Sequence, residues 1–152
     1  MTDVLIYWRD YRKNAEHPTW SWNTNARFLA NLKPGDRLWF VTSGKNLRIN
    51  PEHAGFLVAT WPIKEVIKNP GDDPAYPPED YGHRLVADIA QLATFDQPVP
   101  VDHLVRPAQS DLAGSIGRFL QGPRKLNEQQ VRLLRAAAGP DLALKWLTGS
   151  KT

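Results

Sequence analysis

HPTWSWNTNARFLANLKPGDRLWF, residues 17–40, holds three of the chain's six tryptophans. Pro18 forces extended or turn geometry at His17. From Asn23 onward the pattern takes on a helical period. Ala26, Leu29, Ala30 and Lys33 fall at helical spacing, and Phe28 and Leu32 extend the stripe. Asn23 or Thr24 can serve as N-cap, so a helix is expected to open at Asn23. Pro34-Gly35-Asp36 stops it and turns the chain into RLWFVTS, residues 37–43, a clear strand. Trp20 and Trp22 are thereby expected outside any strand, on the approach to a helix N-terminus. Two indoles so close in sequence either divide between core and surface or line a concavity together.

Working outward, VLIYWRD (4–10) reads as a first strand, and RKNAEHP breaks it. GKNLRINPEHAG is a loop carrying Lys45 and Arg48. FLVATWPIKEVIK (56–68) reads as a strand in which Pro62 marks a bulge or an edge. NPGDDPAYPPEDYG (69–82) contains four prolines and two glycines, so no regular element fits it. Unstructured loops of that length are often functional, and this one carries Tyr76 and Tyr81. HRLVADIAQLATF (83–95) resumes strand character, and QPVPVDHLVRP is an extended connection with a turn or short helix. LAGSIGRFLQ (112–121) and LNEQQVRLLRAAAG (126–139) read as helices, the second ended by Gly139-Pro140. A last helical turn, DLALKWLTG, is expected to dock through Leu142, Leu144, Trp146 and Leu147. Strand, helix, strands, helices, without βαβ alternation, is an α+β order. The expected architecture is a small, curved, mostly antiparallel sheet or barrel flanked by helices. A single domain is expected over 1–152, with 104–150 a helical C-terminal part packed on it.

Apolar residues make up 41% and charged residues 23% of the 152, the balance of an ordinary globular protein. No apolar run approaches the roughly 20 residues of a membrane span. Asp3 stands ahead of the first short apolar run, which does not suit a signal peptide. The absence of cysteine removes disulfides, thiolate chemistry and cysteine-ligated zinc. A cytoplasmic protein is the simplest expectation. Charge is unevenly spread: residues 1–50 carry eight Lys/Arg against four Asp/Glu, and 104–152 carry eight against three. Residues 51–103 reverse this, with three basic and nine acidic. Two basic ends around an acidic middle can fold into a basic face that attracts a phosphate backbone.

Motifs for chemistry are scarce. His17, His53, His83 and His103 stand far apart with none at metal-ligand spacing. Neither G-x-x-x-x-G-K-[ST], G-x-G-x-x-G nor G-x-S-x-G occurs. No catalytic residue, metal or cofactor is therefore expected. The tryptophans remain. Trp8, Trp39 and Trp61 lie in strands, where tryptophan is most often core. Trp20 and Trp22 suit a functional wall, since aromatic faces stack on unpaired bases and enclose small substituents. Beside them Asn23 and Asn25 can donate to a carbonyl or phosphate. An asparagine can also read a base edge in a bidentate manner, while Arg9, Arg12, Lys13 and Arg27 hold phosphates nearby.

WNTNARFLANLKPGDRLWFVTSG, followed some ten residues later by GFLVATWPIKEV, resembles the PUA-like superfamily. The EVE domains are nearest, with YTH and ASCH domains more distant. The positions that carry the resemblance are Trp22, Asn23, Ala26, Arg27, Gly35, Asp36, Ser43, Gly55 and Ala59. It covers roughly residues 4–95. The WSW spacing, the proline loop and the helical C-terminus depart from the EVE pattern. The resemblance implies a small curved β-barrel with a pocket between helix and sheet, which in relatives receives a modified or flipped base. Flipping costs a few kcal/mol, which stacking and edge hydrogen bonds must offset. The ASCH motif G-x-K-x-x-E-x-R is absent, which counts against the amidohydrolase activity of some ASCH relatives.

The expected function is therefore a non-catalytic reader of a modified base in DNA or RNA, foremost modified cytosine or methylated adenine in DNA. Trp20 and Trp22 would stack, Asn23 and Ser43 would read the base edge, and Trp61 or Tyr81 would close the pocket. Arg12, Lys13, Arg27 and Lys45 would approach phosphates. Modified nucleic acid is the expected partner, with a separate nuclease or other effector as a second and no membrane. The alternatives are a nucleoside or small-amide hydrolase of the ASCH type, and a protein-interaction module using the tryptophans and the Pro-Tyr loop.

Overall fold

The computed structural model describes residues 1–14, 19–105 and 116–139. Its framework is three strands: β1 (Asp3–Tyr7), β3 (Arg37–Ser43) and β4 (Gly55–Lys68). All seven residues of β3 are buried, because it lies between β1 and β4 with both faces covered. Alternate side chains then feed two separate cores. Val4, Ile6, Leu38, Phe40 and Trp61 pack on one face. Leu5, Trp39, Val41 and Leu57 pack on the other, against Val105, Ile116, Leu120 and Leu134. Trp39 is fully buried and its indole N–H donates to Asp3 Oδ1 at 3.0 Å.

The remaining strands are β2 (Ser21–Thr24), β5 (His83–Ala87), β6 (Ala93–Pro100) and β7 (Arg124–Lys125). They complete a mixed seven-stranded sheet in the order β2-β5-β4-β3-β1-β7, with β6 paired to β4. The β1–β3 pairing is parallel and every other pairing is antiparallel. The α+β class holds, but the expected barrel does not: β2 and β7 end the sheet and do not pair with each other. Curvature comes instead from β4, 14 residues long. Its first half pairs with β3 and β6 and its second half with β5. Register shifts at Leu57/Ala59 and Ile63/Glu65 bend it between these partners.

Two local expectations need correction. Ser21–Thr24 is a strand, with Trp22 opposite Leu85 and Asn23 opposite Arg84 on β5. The helix expected from Asn23 shrinks to the single turn α2 (Arg27–Ala30). Cross-strand pairing wins over helical spacing here, and Thr24 Oγ1 accepts from the Ala26 N–H to make the corner. Asp36 then closes the turn after α2. Its carboxylate accepts from the N–H groups of Lys33 and Thr2, both at 2.8 Å, while Gly35 adopts φ +95°.

Short turns decorate the sheet: α1 (Tyr11–Asn14), α3 (Gly44–Leu47), α4 (Asp102–Val105) and α5 (Ile116–Phe119). The longer α6 (Glu128–Ala138) starts at a capping box between Asn127 and Gln130 and buries Leu134 in the second core. Within the C-terminal part read as helical, β7 adds a short strand beside β1. The expected docking of DLALKWLTG falls outside the described residues. Among the described residues no helix is long and apolar enough to cross a membrane.

Candidate functional site

Where the first core reaches the surface it opens into a cavity of about 1020 Å³. Phe40 and Trp61, both nearly fully buried, form its floor with ring centroids 5.2 Å apart. Trp22 lies 5.4 Å from Phe40 at an interplanar angle of 49°. Trp20 and Trp22 both line the cavity, although only Trp22 lies in β2. Trp20 does so at φ +52°, a left-handed conformation that is strained for so bulky a residue. Its carbonyl is held by the Ala87 N–H at 3.1 Å.

Trp8 supplies a further wall as the chain leaves β1. Its indole N–H donates to Asn14 Oδ1 at 3.0 Å, and its ring meets Tyr11 and Phe40 edge-on. The backbone here is pinned from β3 and α3. The Trp8 N–H donates to the Val41 carbonyl, Thr42 Oγ1 donates to the Trp8 carbonyl, and Asn46 Nδ2 donates to the Arg9 carbonyl. Gly117 closes that side against Tyr7. A Cβ at Gly117 would stand 2.8 Å from the Tyr7 ring.

The proline loop forms the opposite wall and is ordered by buried Asn69. Its Nδ2 donates to the carbonyls of Tyr76 and Tyr81, at 2.9 and 2.7 Å, and its Oδ1 accepts from the Gly71 N–H. Tyr76 and Tyr81 consequently meet edge to face, 5.2 Å between centroids. Burial, with the Asp10 carboxylate second, pushes the Tyr76 phenol above its ordinary pKa, and a hydrogen bond from Asn14 opposes this. Arg84 ties the loop to β2: its two terminal nitrogens grip the Asp72 carboxylate, and its Nε donates to Asn23 Oδ1 at 2.8 Å. The hydrogen bonds to Arg84 hold the Asp72 carboxyl below the usual aspartate pKa and raise that of Arg84.

Of the residues expected to bind a base, Trp20, Trp22, Asn23, Trp61 and Tyr81 all line this cavity. Ser43 does not: it is buried, and its hydroxyl accepts from the Asn46 N–H as the N-cap of α3. Arg12, Lys13, Arg27 and Lys45 are exposed and do not line the cavity either. Arg12 and Lys13 lie on α1, which touches the α3 turn carrying Lys45, whereas Arg27 sits on α2 beside β5. Trp8, Asn14, Tyr76, Arg84 and Gly117 line the cavity without having been expected there. Its place in the first strand read from the sequence gave Trp8 a core reading, and Arg84 is tied to the site by its pairing opposite Asn23 and its bonds to Asn23 and Asp72. Among the described residues no three histidine, aspartate or glutamate side chains gather as metal ligands.

Fold and site together define an α+β protein with an aromatic cavity at one end of its first core. No protein-family model matches the chain, and no curated protein matches it.

Proposed function

We propose that the cavity receives a modified base of a nucleic acid and that the protein is a non-catalytic reader. The observation that carries this reading is the gathering of Trp20, Trp22, Trp61 and Trp8 with Tyr76 and Tyr81 around one space. Rings so placed offer stacking worth about 1–3 kcal/mol per base. A volume near 1020 Å³ is at the upper end of small-ligand sites and accommodates a nucleotide. Charge argues that a base rather than a phosphate enters. The lining arginines face carboxylates, Arg84 on Asp72 and Arg9 3.5 Å from Asp10, and Asp73 adds a further negative group. On this reading phosphates belong at the rim, with Arg12 and Lys13 exposed on α1, whose Asn14 lines the cavity, and Lys45 exposed on the neighbouring α3. Modified cytosine and methylated adenine in DNA are the foremost ligands on this reading, and a nuclease or other effector is the kind of partner such a reader would serve.

The test is a tryptophan-fluorescence titration with short single- and double-stranded DNA and RNA. Each is taken plain or with 5-methylcytosine, 5-hydroxymethylcytosine or N6-methyladenine, at two salt concentrations. Tight binding to one modified member that weakens with salt is the expected result. A flat response across the panel at low salt refutes the reading.

A further inference from the structure

The asparagine of the cavity can be oriented from chemistry alone. Arg84 Nε lies 2.8 Å from a side-chain atom of Asn23, and a guanidinium only donates, so that atom is the amide oxygen. The amide oxygen is thus turned to the wall, with one of its two lone pairs engaged by Arg84. Asn23 Nδ2, with two hydrogens, has no acceptor among the described residues and belongs to a side chain that lines the cavity. Arg84 cannot readily release it. The Arg84 side chain is only 14% exposed, and its other guanidinium nitrogens are fixed on Asp72. The second asparagine of the lining follows the same rule: Asn14 turns its oxygen to the Trp8 indole N–H.

We infer that Arg84 positions Asn23 to read through its amide hydrogens, so that the ligand turns a carbonyl oxygen or an unprotonated ring nitrogen towards it. This rests on the base-reading function proposed above and narrows it. Bidentate reading of adenine through N6 and N7 needs the asparagine to accept as well as donate, and here its oxygen is turned to Arg84, so an adenine amino group would have to share that oxygen with the guanidinium. Asn23 therefore favours an edge of acceptors over an adenine amino group. An edge such as O2 and N3 of cytosine, which offers two adjacent acceptors, fits the amide hydrogens. The inference assigns Arg84 a positioning role that its salt bridge to the exposed Asp72 alone would not suggest.

Asn23→Asp separates this from a packing role. An aspartate keeps, and strengthens, the bond to Arg84 but brings no hydrogen to the cavity. The probes are single-stranded DNA carrying 5-methylcytosine and the same strand carrying N6-methyladenine, each titrated into wild-type protein, Asn23→Asp, Arg84→Lys and Trp22→Ala. Asn23→Asp is expected to hold its Tm at or above wild type and to weaken binding by roughly tenfold or more. Its salt dependence should match wild type, which distinguishes loss of a local donor from general repulsion of phosphates. Arg84→Lys, which frees the amide to turn, is expected to weaken binding as well. Undiminished binding by Asn23→Asp, while Trp22→Ala loses it, overturns the donor assignment and leaves the reader standing. Weakening accompanied by a changed salt slope also overturns it. Failure of the wild-type protein to bind either probe overturns the reader and the inference together.

Discussion

Trp22→Ala tests whether the tryptophan pair is wall or core, and the structure answers that it is both. The Trp22 ring packs at a tilt on buried Phe40, 5.4 Å between centroids, while the residue stays partly exposed along the cavity. Truncating a fully buried tryptophan costs about 3–5 kcal/mol. With the residue only partly buried, roughly half of that, about 2 kcal/mol, is the expected loss of stability. At about 2–4 °C per kcal/mol for a chain of this size, Tm should fall by roughly 4–8 °C. The protein therefore stays folded at room temperature, and ligand binding is measurable in the same sample. Far-UV circular dichroism follows unfolding, because removing an indole compromises a fluorescence signal. Binding to the preferred oligonucleotide is followed by anisotropy of a dye on the nucleic acid. On the proposed reading affinity falls by about tenfold or more, the loss of one stacking face. A Tm unchanged from wild type would refute the packing on Phe40. A Tm loss of the full 4 kcal/mol class with affinity intact would refute the wall.

Three further changes probe the walls separately. Gly117→Ala places a methyl 2.8 Å from the Tyr7 ring, so the ring must shift. Overpacking of this kind costs about 1–3 kcal/mol, read as a lower urea midpoint at constant m-value. Asn69→Ala leaves the Tyr76 and Tyr81 carbonyls without their donor. A loss of about 1–3 kcal/mol and faster proteolytic cleavage within 70–82 are expected, and unchanged cleavage would show that the loop orders itself without Asn69. Asp72 has its pKa depressed in the fold by Arg84, so its contribution is present above the ordinary aspartate pKa and vanishes as pH falls through the depressed value. The Tm difference between wild type and Asp72→Asn should accordingly be largest near neutral pH and disappear in acid. A difference that persists unchanged into acid would assign the effect to something other than the ion pair.

Strands with two buried faces were the most legible parts of the sequence. RLWFVTS is β3 at its expected limits, and β4 starts one residue earlier than read, because continuous apolar β-formers bounded by turn residues leave few alternatives. WSWN was not legible. Its strand exists because β5 offers a partner some sixty residues away, and a local window sees only the helical spacing that follows. Barrel closure failed for a similar reason: whether β2 and β7 meet depends on lengths of four and two residues, which periodicity does not report. The cavity was half legible. Tryptophan density and the proline loop pointed at Trp20, Trp22 and Tyr81, whereas Arg84 and Asn14 enter by hydrogen bonds that only tertiary pairing creates. Ser43, taken from the family resemblance, caps the next turn, as serine at the end of a strand commonly does.

On the proposed reading, discrimination and affinity belong to different parts of the surface. The cavity's own arginines face carboxylates, so they contribute little net attraction for a polyanion. Attraction must then come from the exposed cations of α1 and α3, which the fold brings side by side. Each such cation that neutralises a phosphate adds about 0.7–0.9 to the slope of log affinity against log salt. Removing Arg12 or Lys13 as alanine should therefore flatten that slope by about this amount per residue, while the ratio of affinities for modified and plain strands stays constant. Changes inside the cavity should do the reverse, reducing the ratio at constant slope. If a rim substitution altered the ratio instead, the rim would be touching the base, and the division between a neutral cavity and a basic approach would be wrong.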